Sequence, residues 1–410
     1  VIDFIGNYAN NFMIPIALFG DESLNRESLR ERLNETVEAG ALPGLSSVSF
    51  DEVSRERVLK SIGRAQLDSM SNLKIALVAM RNRVGRTPML MDFQRFESVD
   101  PVLLATKKEH FPALVQSLLR EPSGLTEQES KALQLLSHEV LAAKRLHEFV
   151  LLRLLLDRGV VSTEAIAAAF TGAGVSVDPV TIKSVVDTFT LDGYAQSDLT
   201  RYVRPLAIRD GELVRLASEF RASYATSSAF HSAVDDVLVT GEKLTGKRYR
   251  LDVPFTPGLQ YSRRDAARLL GWDRTNQSTI YGVKVDTTLG VSAIFVTLEK
   301  SDEVAASTAY KDQLLDPSTM RWFTKSNRRL DSADVAPIVK AAVDVHVFVK
   351  KDDAEGTDHY YLGQATAHDA VQTVMPDGKG GVLPVVEMHL RFDEPVRQGL
   401  FDYFSPRSLV

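Results

Sequence analysis

The spacing of apolar residues changes period along this chain, and that change limits the folds open to it. Up to about residue 240 apolar positions recur every three or four residues, the repeat of helices that bury one face. Beyond a bridging helix at 217–239 they alternate in short runs at 279–285, 293–298, 343–349, 360–365 and 385–392, separated by Gly, Asp and Lys turns. Helix and strand patterns segregated in this way predict an α+β protein. The second part has only two short helices, near Ser262 and Ser332, so its strands are expected to form a small mixed barrel or a strongly curved sheet. At roughly 100–200 residues per domain, 410 residues make two to four domains.

Local signals place the helices. Asn25 can cap one that stops at Gly40, and 51–69 carries Val53, Val58, Ile62 and Leu67 on one face. The pattern from 73 to 119 is helical but punctuated by Gly85, Pro88, Pro101 and Pro112, and Thr126 with Glu129 forms a capping box. Residues 145–215 read as three helices and a hairpin, the last pair of strands (203–208 and 212–216) flanking Arg209-Asp210-Gly211. This is the order of a winged-helix module. Its helix at 178–192 carries Lys183 against Asp178, Asp187 and Asp192, so it is expected to join domains rather than read DNA. The divisions expected are 1–20, 21–140, 141–240 and 241–410.

Composition removes several classes of chemistry. There is no cysteine, which excludes disulfides, Cys-ligated zinc, iron–sulfur clusters and thiol nucleophiles and fits a reducing, cytoplasmic setting. No apolar stretch approaches the ~20 residues needed to cross a bilayer, so no membrane partner is expected. The net charge of −6 conceals an asymmetry: residues 240–330 hold 15 Lys/Arg against 10 Asp/Glu, and the remainder 33 against 44. A basic segment in an acidic chain points to phosphate binding; a solvated surface face is the plain alternative.

Few motifs carry chemistry. Gly241-Glu242-Lys243-Leu244-Thr245-Gly246-Lys247-Arg248 nearly matches a nucleotide phosphate loop, but Arg248 stands where a Ser or Thr hydroxyl must hold magnesium. His138-Glu139 and His147-Glu148 lack the second histidine of a zinc helix. Glu299 and Lys300, read beside Asp286 as a nuclease pair, would point to opposite faces of a strand. The most informative run is Met320-Arg321-Trp322-Phe323-Thr324-Lys325-Ser326-Asn327-Arg328-Arg329. It mixes aromatics for stacking, cations for phosphates and short polar groups for base edges, and reads as a binding loop; the plain alternative puts Trp322 in a core. Thr279 to Lys284 is a second such set and Asp358 to Tyr361 a third, in which alternation leaves only one of Tyr360 and Tyr361 for a ligand.

These residues carry a resemblance. The run Asp3-Phe4-Ile5-Gly6-Asn7-Tyr8 resembles the last strand of the second RecA-like lobe of superfamily II helicases. Leu42-Pro43-Gly44 with Arg55-Glu56-Arg57-Val58-Leu59, and Arg83-Val84-Gly85-Arg86-Thr87-Pro88 with Met91-Asp92-Phe93, resemble the helices associated with that lobe. Leu269-Leu270-Gly271-Trp272, Ser278 to Gly282, Phe295-Val296-Thr297, Trp322 with Ser326-Asn327-Arg328, and Phe348 to Asp358 resemble the C-terminal domain of phospholipase-D-type nuclease–helicases. That group includes modification-dependent (type IV) restriction enzymes that cut DNA carrying modified cytosine.

The resemblance implies a piece of a longer bacterial restriction protein whose ATP, Mg and cutting chemistry lie elsewhere, since the helicase and nuclease motifs are absent here. The partners implied are the helicase and nuclease domains of the same polypeptide and double-stranded DNA bearing 5-methyl- or 5-hydroxymethylcytosine. The terminal ~160 residues would be a PUA/SRA-like barrel that reads an extruded base. From residue chemistry alone, Tyr281 and Trp322 are expected as stacking walls, Ser326 and Asn327 as edge readers, and Lys284, Lys325, Arg328 and Arg329 as phosphate contacts. No catalytic residue, metal ligand or cofactor is expected within the chain. The rival expectation is a protein-interaction or autoinhibitory module with Trp322 buried.

Overall fold

The computed structural model describes residues 23–25, 29, 67–299, 312–376 and 380–405. The expected strand at 1–20 and almost all of the two helices expected before Ser69 lie outside them. The described residues divide into two compact units, 67–254 with 267–275, and 255–266 with 276–405.

Many helices of the first unit combine a side-chain cap with an apolar face. Ser69 caps Met70–Val84, and Gly85 ends that helix in the left-handed region. Asp100 caps Pro101–Thr106, and His110 caps Phe111–Leu119, each with proline in the first turn. The capping box of Thr126 and Glu129 opens Glu127–Leu135 as the sequence requires. At its end the helix widens into a π turn, Leu136–Leu141, that brings Glu139 into the interior.

Helix His147–Arg158 leads into β1 (Val160–Ser162), the helices Thr163–Gly172 and Pro179–Thr190, a short helix Gln196–Tyr202, and the hairpin of β2 (Ala207–Asp210) and β3 (Leu213–Leu216). The sheet order is β1-β3-β2, so β3 is central and β1 is a third strand beyond the expected hairpin. Gly211 at the hairpin turn has a φ of +57°, the conformation that Asp-Gly turns require.

The bridging segment differs from expectation. Ser227 breaks it into Ser218–Thr226 and Ser228–Arg248, capping the second. The latter runs unbroken through Gly241 and Gly246, so the phosphate-loop-like sequence is helix and the expected division at 240/241 falls within it. Gly241 serves packing: a Cβ there would lie 2.0 Å from the fully buried ring of Phe149.

The second unit is β-rich. An eight-stranded mixed sheet has the order β5-β6-β9-β10-β11-β8-β7, with β4 (Gln260–Tyr261) paired to β10. Its strands are β5 (Val283–Asp286), β6 (Val291–Thr297), β7 (Gln313–Asp316), β8 (Thr319–Phe323), β9 (Asp344–Lys350), β10 (His359–Pro376) and β11 (Val382–Phe392). Only β6 and β9 run parallel; the other pairs are antiparallel. Among the described residues the sheet is open. The expected caps form, Ser262 and Asp265 exchanging side-chain bonds with each other's backbone N–H at the start of Arg263–Leu269.

Two expectations are corrected by this sheet. The first half of the 320–329 run is strand β8, because Met320 and Trp322 alternate inward and pair with Leu390 and Met388 on β11. Tyr360 and Tyr361 are both buried, since each face of β10 is covered there. Tyr361 packs on Phe255, His346 and Phe348, while Tyr360 packs on Tyr403 and Phe404 of helix Gln398–Phe404.

Candidate nucleic-acid interface

The 279–284 and 325–329 sets, some forty residues apart in sequence, come together in the second unit. Ile280 and Val283 are buried and pin the first segment to the core, which turns the intervening Tyr281 outward. Tyr281 is 70% exposed, while its backbone N–H donates to the Thr279 carbonyl at 3.0 Å. Gly282 follows with a φ of +77°, and a Cβ there would lie 3.7 Å from Cε of Lys325. The Lys325 ammonium donates to the Val283 carbonyl at 3.5 Å, and burial pulls its pKa below the ordinary lysine value. Lys284 donates to Asn276 Oδ1 at 3.3 Å and Thr279 Oγ1 at 3.2 Å, so its charge is held on the segment that carries Tyr281.

The 324–329 segment is held as an extension of β8 along β11. Thr324 donates its N–H to the Val386 carbonyl at 3.0 Å and accepts the Val386 N–H on Oγ1 at 2.9 Å. The Arg328 N–H reaches the Pro384 carbonyl at 3.1 Å. Between these anchors Ser326 and Asn327 are exposed, with Asn327 at a φ of +61°, a conformation asparagine tolerates better than most residues. The guanidinium of Arg328 is committed to Asp334 at 2.7 Å, whereas the Arg329 side chain is exposed and its backbone N–H bonds Ser332. Asp331 and Asp334 on the same segment moderate the positive charge.

The structure therefore brings Lys325 against the segment that carries Tyr281 and Lys284, with Ser326, Asn327 and Arg329 exposed further along the 325–329 segment and Arg328 behind an ion pair. Trp322 does not join them. It is 4% exposed, and a base cannot reach its ring, so the expectation of a second stacking wall is corrected. Alternation along β8 carried that outcome in the sequence, but the cations after Thr324 pulled the whole run toward a loop reading.

The basic segment at 240–330 also separates in space. Lys247 pairs with Glu97 at 2.7 Å and Arg248 with Asp100 at 3.0 Å, both on the first unit. Arg268 and Arg274 are buried in that unit. Arg268 meets Glu139 at 2.6 Å, and Arg274 donates to Thr188 at 3.1 Å beside the Tyr194 ring. Glu139 also accepts from the hydroxyls of Tyr202 at 2.6 Å and Tyr194 at 3.1 Å. Sequence reasoning missed this network because its members lie far apart along the chain. Its neighbour Ser184 donates to the Arg268 carbonyl at 2.6 Å, and residues 184–189 are all buried, so the C-terminal half of the Pro179–Thr190 helix is covered while Pro179 and Lys183 stay exposed.

Nuclease and metal chemistry gain no support from the geometry. Asp286 accepts the N–H groups of Thr288 and Leu289, which makes it a turn residue. Among the described residues no cluster of His, Asp or Glu could hold a metal ion, and no helix is long and apolar enough to cross a membrane.

Fold and surface together define an α+β chain whose β-rich unit carries an exposed aromatic ring with cationic and short polar groups on neighbouring segments. Two families match it. Residues 73–250 are similar to a domain of unknown function (DUF8090), and residues 255–404 to a domain of unknown function (DUF3427). No curated protein matches.

Proposed function

We propose that this chain is the DNA-contacting and coupling region of an ATP-dependent restriction helicase–nuclease, with modified cytosine read on the β-rich unit. The observation that carries the reading is the contact of Lys325 with the segment of exposed Tyr281 and Lys284, followed along its own segment by exposed Ser326, Asn327 and Arg329, which supplies a stacking ring with phosphate and base-edge partners. The mixed sheet with its long β10–β11 pair supports assigning this unit to the PUA/SRA-like class. In the first unit, the order helix, β1, helix, helix, short helix, β2, β3 with β3 central supports a winged-helix module that carries one added short helix. Burial of residues 184–189 in its Pro179–Thr190 helix supports a coupling role for that module.

The test is fluorescence anisotropy of the chain with matched duplexes, plain and 5-methylcytosine-bearing, at low and moderate salt. Tighter binding of the modified duplex is expected, and Arg329→Ala should weaken binding to both and flatten the salt dependence by about one charge. Failure to bind either duplex or the corresponding single strand at low salt would sink the DNA reading.

A second reading is a protein-interaction or autoinhibitory module, and the burial of Trp322 favours it. It predicts negligible DNA affinity and an unchanged salt slope on replacing Arg329.

A further inference from the structure

Tyr281 is the only exposed aromatic residue among the described residues. The other rings of the β-rich unit are spent on its core: Phe255, Tyr261, Phe348 and Tyr361 pack edge-on or tilted, and Phe295 stacks on Phe348 at 4.5 Å. An enzyme that pulls a base out of a duplex sandwiches it between two walls. The described surface offers one ring, presented on a short pinned turn, with the Lys284 ammonium bonded at Asn276 and Thr279 and the Lys325 ammonium at the Val283 carbonyl of the same segment.

One ring with cations beside it suits a base whose face is already free, because stacking on a single aromatic tolerates any base and needs no unpairing. Inside a blunt duplex every base face is occupied by its neighbours, so the Tyr281 ring would have nothing to cover. Lys325 sits against the backbone of the Tyr281 segment at Val283, two residues on from the ring, which puts a phosphate partner on the same segment as the stacked base. Ser326 and Asn327, exposed between the Thr324 and Arg328 anchors, are free to meet the edge of an unpaired base.

We infer that the substrate of this surface is DNA with an unpaired nucleotide, stacked on one face by Tyr281 and held through its phosphates by Lys325 and Arg329. The inference rests on the reading that the β-rich unit contacts DNA. In that reading the unit receives a base opened by another part of the parent protein and does not extract it from the helix.

The experiment compares a single-stranded oligonucleotide, its blunt duplex and the same duplex with an unpaired tail, each carrying 2-aminopurine, against the whole chain and its Tyr281→Ala, Tyr281→Phe and Arg329→Ala variants. The single strand and the tailed duplex are expected to bind more tightly than the blunt duplex, with a change in 2-aminopurine emission that reports stacking. Tyr281→Ala should lower single-strand affinity about tenfold and abolish that change, while Tyr281→Phe retains both. Arg329→Ala should flatten the salt dependence and leave the emission change. Blunt duplex bound as tightly as single strand, or a Tyr281→Ala protein that binds and stacks like the parent, would overturn the inference while the DNA reading stands. Binding to no DNA at low salt would remove both.

Discussion

At the scale of single residues, the two glycines of helix Ser228–Arg248 have opposite meanings although both sit in one phosphate-loop-like string. A Cβ on Gly241 meets the ring of Phe149, which is fully buried and cannot swing away, whereas a Cβ on Gly246 meets nothing within 4 Å. Overpacking a filled core costs about 1–3 kcal/mol, and replacing glycine by alanine inside a helix returns about 1 kcal/mol. Gly241→Ala is therefore expected to lower stability in urea unfolding, and Gly246→Ala to raise it by about 0.5–1 kcal/mol. Equal effects at the two positions would contradict this packing. The sequence named both glycines; only the neighbour at Phe149 distinguishes them. Trp322 has the same lesson, since alternation along β8 turns it inward although its chemistry suits a ligand.

At the scale of elements, the π turn Leu136–Leu141 is what aims a charged residue at the interior. Glu139 there meets Arg268, Tyr194 and Tyr202, and both ends of its ion pair are almost wholly buried. Removing one partner of such a pair strands the other charge, which costs about 3–5 kcal/mol. Glu139→Gln is expected to lose stability on that scale in denaturant titrations, and Glu139→Gln with Arg268→Met to recover part of it. A single variant as stable as the parent would mean that Arg268 is neutralised elsewhere. Elements with their own signals, such as the Thr126 capping box, the Asp178-Pro179 start and the Asp-Gly hairpin, were legible in the sequence because every bond involved is local. The helix Gln196–Tyr202 and strands β1, β7 and β8 were not, being short, with β1 and β8 held by strands distant along the chain and β7 held only by β8.

For the whole molecule, four buried histidines set the response to acid. Burial lowers His110, His147 and His346 from 6.5 to about 4, and His359 to about 3. Between those values and 6.5 the unfolded chain binds protons that the folded chain does not, so their contribution is present above pH 6.5 and is lost as pH falls through about 4. Asp236 opposes them. Burial raises its carboxyl from 3.8 to about 6, so its contribution is greatest below pH 4 and is lost as pH rises through about 6. Four groups against one predict a urea midpoint that falls from pH 6.5 to pH 4. A midpoint that rises over that interval would show that the histidines are not buried neutral.

By itself the sequence determined the α+β division, the capped helices of the first unit and the strands of strong alternation in the second, because periodicity and caps act within a few residues. It also determined the chemistry available, with no thiols and a surplus of cations between 240 and 330. Tertiary structure decided where that chemistry went. It drew Arg268 and Arg274 into the helical unit, closed Trp322, Tyr360 and Tyr361 into the sheet, and left Tyr281 outside beside Lys284 and Lys325. The physical reason is that burial depends on what each face packs against, and those partners come from distant parts of the chain.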